Sequence, residues 1–220
     1  MSKKKFSIQS IVLEILIVIV GITIAFWLNN WGEERKERRL EQEFLKTLRS
    51  DLAADSAAFV YQVEANQANA RRVYSFKEIL RKKQYDNDSI QWFIGSFLNR
   101  NNWVINDNTF EILKSGGKLD IIQDFDLRTE IGQYFRIRTY QTEHMLNIIQ
   151  TFMDEHMNVY LTKNTDYFIQ NKPDKAFVRD TEFQNLLANW ADLNDEKLAL
   201  YEEILENISY LISKLDEQLK

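Results

Sequence analysis

Apolar and polar positions divide the chain into two regimes. Residues 11–28 form an apolar run of eighteen residues that contains one charge, Glu14. At about 1.5 Å per residue a helix of that length spans roughly 27 Å, close to the hydrocarbon thickness of a bilayer. The block "GEERKERRLEQE" follows at once, dense in charges of both signs. Beyond it, apolar residues recur at helical spacing instead of in runs. Leu45, Leu48, Leu52 and Phe59 keep 3-4 spacing with a polar break at Asp55, and Val73, Phe76 and Leu80 restart it. The stretch "AADSAA" between them is a place for a kink or for close packing. The clearest periodicity is C-terminal: Leu198, Tyr201, Leu205, Ile208, Ile212, Leu215 and Leu219 alternate steps of three and four. That spacing makes a seam for a bundle or a coiled coil, within one chain or between chains.

Punctuation refines the elements. No Gly or Pro stands between Gly32 and Gly95, so residues 33–83 can be one helix of about fifty residues, roughly 75 Å long. "YDNDS" is a turn, with Asp88 or Ser89 as helix cap for "IQWFIGSFLNR". Asn108 is expected to cap "TFEILKSGG", with Gly116 as the residue after the helix end and Gly117 extending the turn. A long helix is expected over about 126–162, with Leu127, Ile131, Tyr134, Met145, Ile149, Phe152 and Tyr160 inward. "KNTDYFIQNKPDKAF" is the longest irregular stretch and holds the one proline, Pro173. Asp180 then caps a helix reaching about Trp190.

Composition agrees with an all-α chain. Six Gly and one Pro in 220 residues is low, and long helices avoid both. Apolar residues make up 45%, enough for a packed core. A net charge of -5 gives no electrostatic reason to expect nucleic acid. There is no Cys, which removes disulfides, thiolate metal sites and Cys nucleophiles.

The apolar run reads as an uncleaved single span. Lys3, Lys4 and Lys5 precede it, and Trp27 and Trp31 lie at its far end, where indoles favour the headgroup boundary. A cleaved signal peptide would want a shorter run and a small-x-small site, and "AFWLNNWGEE" offers none. One helix face of the run carries Glu14, Val18, Gly21, Ala25 and Leu28. Gly21 and Ala25 form a small-xxx-small pair that admits a second helix at close range. Glu14 on that face is either protonated or hydrogen-bonded within an assembly, or reaches the nearby interface. Basic residues on the two sides of the span nearly balance.

Motifs for chemistry are absent. His144 and His156 are twelve residues apart and cannot share a metal on one helix. Neither HExxH nor paired Glu-x-x-His spacing occurs, "DNDS" lacks the rest of a calcium loop, and "SGG" lacks a phosphate loop's Lys-Ser/Thr. No catalytic residue, cofactor or metal is assigned, and no enzyme is expected. The aromatics Trp92, Phe93, Phe97 and Trp103 form either a hydrophobic cap on the bundle or a patch for a partner, with Arg100, Asn101 and Asn102 as its rim.

The N-terminal pattern Glu14-Ile15, Gly21-Ile22, Ala25, Asn29-Asn30-Trp31, Glu34-Arg35-Lys36 resembles a family of single-span membrane proteins of unknown function from Bacteroidota. The family's Gly before the Glu is Leu13 here. "NTFEILKSGGKLDIIQDFDLRTEIGQYF" is similar to its middle motif. The resemblance covers most of the chain and implies architecture, not activity. Longer basic N-tails in that family imply a cytoplasmic N-terminus and a periplasmic bundle.

The expected organisation is all-α: a basic tail over 1–10, a transmembrane helix over 11–31 that continues into a helical stalk over 32–60, and a helical bundle over 61–220. The expected role is a non-enzymatic oligomeric scaffold or accessory subunit in a bacterial inner membrane. Its partners are the lipid bilayer and either copies of itself or other membrane proteins. Two other roles stay open: a ligand sensor that signals through a partner, and an accessory to an ion-driven complex that uses Glu14.

Overall fold

The computed structural model describes residues 8–96, 102–165 and 176–220. It is all-α, with no strand among the described residues. Helix α1, Ile8–Arg81, runs 74 residues without interruption. The apolar run and the expected fifty-residue helix are one element, as expected for an anchor that continues into a stalk, and "AADSAA" does not interrupt it. Then come α2 (Ser89–Ser96), α3 (Asn108–Ser115), a 3-10 turn (Leu119–Ile121) and α4 (Phe125–Phe152). A π-helical turn, Met153–Met157, joins α4 to α5 (Asn158–Asn164), and a 3-10 turn (Ala176–Arg179) precedes α6 (Thr181–Gln218).

Antiparallel packing of α6 along α1 organises the bundle. The seam of α1 runs Leu45, Leu48, Leu52, Asp55, Phe59, Gln62, Asn66, Asn69, Val73, Phe76, Leu80, all buried. The 3-4 spacing therefore never breaks; polar side chains carry it through the middle. The seam of α6 runs Phe183, Leu187, Trp190, Asn194, Lys197, Tyr201, Ile204, Ile208, Leu211, Leu215, again all buried. It begins far upstream of Leu198 and is rotated from the expected stripe. Leu205, Ile212 and Leu219 are only partly buried flankers, because Ile204 and Leu211 take the inward positions. What the sequence suggested as two helices is one, since Asn194 and Lys197 keep the phase.

The apolar core has two parts. One gathers Val73, Phe76, Ile90, Phe93, Ile149, Met157, Phe183 and Trp190 at the end far from the apolar run. The other gathers Leu45, Leu52, Phe59, Phe110, Leu127, Phe135, Tyr201 and Ile208 at the near end. Packing on α1 thus starts at Leu45, inside the 32–60 segment. About 25 Å of helix, at ~1.5 Å per residue, separates Leu28 from that point.

Local chemistry sets the ends. Asp124 Oδ1 accepts from Leu127 N at 2.9 Å and caps α4. Asp180 Oδ1 accepts from Glu182 N at 3.0 Å and caps α6, as expected. Asn108 is the first residue of α3 and not its cap; Asp107 holds that place without a side-chain bond. Gly117, at φ +62°, takes the left-handed position expected nearer Gly116. Lys118 N to Leu113 O (2.8 Å) and Gly117 N to Lys114 O (3.1 Å) complete the motif. Lys83, at φ 55°, ends α1 in the same way without a glycine. The π-helical turn inserts one residue into the 3-4 phase. Met157 thereby enters the core while His156 faces solvent.

Candidate functional site

Two features stand out: the bare N-terminal part of α1 and a polar layer inside the bundle. The most apolar eighteen residues of α1 have a mean hydropathy of 2.3, and none is buried by the rest of the chain. Side chains such as Ile17 and Ile22 are 63% and 65% exposed, which water would penalise heavily. Polar groups in this stretch look after themselves: Thr23 Oγ1 donates to Ile19 O at 2.8 Å, within the helix. One candidate membrane span is thus present by length and composition. Glu14, Val18, Gly21 and Ala25 are all exposed on it. A Cβ placed on Gly21 or on Gly32 would meet no atom within 4 Å. Trp27 and Trp31 project freely, and the Arg35 guanidinium lies 5.7 Å from the Trp31 ring centre. Arg38–Glu34 (3.7 Å) and Arg39–Glu43 (3.3 Å) are exposed pairs, worth little to stability.

Between the two apolar clusters lies the polar layer. Asn69 Nδ2 donates to Asn194 Oδ1 at 3.4 Å, joining the facing seams. Asn194 Nδ2 turns back to Trp190 O at 2.6 Å, and Asn66 Nδ2 to Gln62 O at 2.7 Å. Gln62 Oε1 and Asn69 Oδ1 meet no hydrogen-bond donor among the described residues. Lys197 is fully buried, and its Nζ donates to Asn102 Oδ1 at 3.4 Å. Burial pushes its pKa down to about 8. About two turns of α1 closer to the apolar run than Gln62, Asp55 is 1% exposed. It accepts from Trp103 Nε1 at 3.2 Å and from Asn106 N at 2.9 Å. Desolvation raises its pKa, and those two bonds oppose the rise. Neighbouring Asp51 accepts from the Thr109 hydroxyl, so two acids of α1 hold the 102–109 segment against the bundle.

The aromatics of the expected patch do not share one environment. Phe93 is buried and stacks on Phe76 at 5.3 Å. Trp92 is 59% exposed, with Arg72 6.0 Å from its ring centre. Trp103 is fixed to Asp55, roughly 25 Å along α1 from Arg72 at ~1.5 Å per residue. Phe97 lies outside the described residues. Among the described residues no three potential metal ligands come together. An open groove of about 530 Å³ lies between α4 and α6, with Asn147, Thr151, His156, Asp192 and Glu196 along it.

Apart from Asp55, and Asn102 as the rim of the aromatic patch, the members of the polar layer were not singled out by sequence. The signal that finds them is the unbroken 3-4 count through Gln62, Asn66 and Asn69, and through Asn194 and Lys197.

No curated protein and no solved structure matches the chain. A family model described as a family of unknown function (DUF6090) matches residues 14–196. That span takes in nearly all of the apolar run, the polar layer as far as Asn194 and most of the bundle, so the chain belongs to this family of unknown function.

Proposed function

We propose that this protein is a non-enzymatic, membrane-anchored scaffold or accessory subunit that self-associates through the Glu14, Val18, Gly21, Ala25 face. It sits in a bacterial inner membrane by one span, with the N-terminus cytoplasmic and the bundle periplasmic. The observation that carries the reading is the continuity of α1. One helix is bare and apolar over its first third and is the core element of the bundle over its second half. A rigid connection of this kind holds the bundle at a set distance from the bilayer. Gly21 supports association, since a helix-interior glycine costs roughly 1 kcal/mol against alanine and no described residue packs where its side chain would sit. Two buried apolar clusters filling both ends of the bundle support a scaffold over a ligand sensor. The test is the mass of the full chain extracted in mild detergent or nanodiscs. An oligomer is expected, and Gly21→Leu is expected to shift it at least five-fold toward monomer. A wild-type chain that is monomeric at every concentration overturns the reading.

A further inference from the structure

The expected association face and the free side of the bundle lie on the same side of one helix. Because α1 is unbroken from Ile8 to Arg81, positions ten turns apart, about 36 residues at ~3.6 per turn, point the same way. Ten turns beyond Val18, Gly21 and Ala25 stand Ala54, Ala57 and Tyr61. All three are exposed, Tyr61 by 64%. The inward seam at Leu52, Asp55 and Phe59 occupies the opposite side of that part of α1. The face in the apolar run therefore points away from the bundle.

Gly21 and Gly32 lie about three turns apart on that same side, and both leave open space where a side chain would sit. Gly132 of α4 is open in the same way, but Gly21 and Gly32 lie on a helix side that no described residue covers, so a body outside the chain can approach there closely. Resting on the self-association proposed above, we infer that this body is a second copy, packed parallel along the bundle-free side of α1. The seam continues past the membrane onto Ala54, Ala57 and Tyr61, and the two bundles hang on the outer flanks. Copies anchored in one bilayer with one orientation must meet in parallel, and a two-fold axis along α1 presents the same face from each. With the face on the bundle side, the bundles would collide; here they do not. A contact about 70 Å long and roughly 10 Å wide on each helix buries on the order of 1,400 Å², which clears the ~1,000 Å² of a specific interface. Lys36, Arg39 and Lys46 share this side and oppose the approach. Arg39 is paired with Glu43 at 3.3 Å, and salt screens the rest within about 8 Å.

The chain has no cysteine, so single substitutions report on single positions. Ala25→Cys, Ala57→Cys and, on the exposed side of α6, Ser209→Cys are placed in the full chain and oxidised in native membranes. Ala25→Cys and Ala57→Cys are expected to give a disulfide-linked dimer at least ten-fold above Ser209→Cys. A dimer from Ala25→Cys with Ala57→Cys at the Ser209→Cys level overturns the continued seam and leaves the anchor association standing. No dimer from either position overturns both. A dimer from Ala57→Cys alone removes the shared face and, with it, the inference.

Discussion

Lys197 occupies a seam position of α6 where the spacing asks for an apolar side chain. Desolvation lowers its pKa from near 10.5 to about 8, so it binds fewer protons folded than unfolded across that interval. The cost of the buried charge is fully present below about pH 8 and is relieved as pH rises toward 10.5. A difference of that size corresponds to roughly 3 kcal/mol over the whole interval. Lys197→Met is therefore expected to raise the denaturant midpoint of the full chain in detergent at pH 7.5, and its advantage should shrink by pH 9.5. An advantage unchanged between those two pH values would contradict the assignment. Asp55 shows how residue chemistry hides in sequence. It read as a break in an apolar stripe, whereas it is a seam residue whose carboxylate is satisfied by Trp103 and Asn106. Those partners lie about fifty residues away, and no local pattern announces them. Phe93 was readable as apolar, but not as part of the core instead of a surface patch. That depends on Phe76, which only the fold brings alongside.

At the scale of the elements, helix existence was legible, and so was the continuation of the apolar run into a long helix; the continuity of α6 was not. Sparse Gly and Pro mark the helices, and Asp180 ahead of a periodic segment marks the start of α6; the Asp124 cap of α4 became visible only in the fold. Polar residues at seam positions made α6 look like two helices. The π-helical turn has no sequence signal, because it is a phase shift: Met157, not His156, reaches the core. The end of α1 at Lys83 is equally silent, since a lysine holds a left-handed position that glycine favours. The Asn69–Asn194 contact crosses the facing seams inside the polar layer. Removing one partner leaves the other buried and unmatched, at a cost of about 1–3 kcal/mol; replacing both restores an apolar seam. Asn69→Leu and Asn194→Leu singly are expected to lower the unfolding midpoint. The double Leu variant should be at least as stable as the parent, giving a coupling of about 1 kcal/mol or more in a double-mutant cycle. Additive losses would show that the two side chains do not act as a pair.

For the whole molecule, the all-α architecture and the single apolar span were readable from composition and hydropathy alone. How far the bundle reaches toward the membrane was not. Leu45 to Phe59 carry a helical stripe that suits a stalk or a core, and only α6 and α4 folding back decide for the core. The molecule is thus a two-part bundle on one continuous helix, with the bare end of that helix too apolar to be left in water. Placement of that end in lipid is the premise for the scaffold, the shared face and the two-fold arrangement alike. Extraction of membranes that carry the full chain, at alkaline pH and high salt, tests it most directly. The account predicts that the protein stays with the pelleted membranes and leaves them only in detergent. Recovery of the intact chain as a monodisperse species in the aqueous supernatant would contradict it.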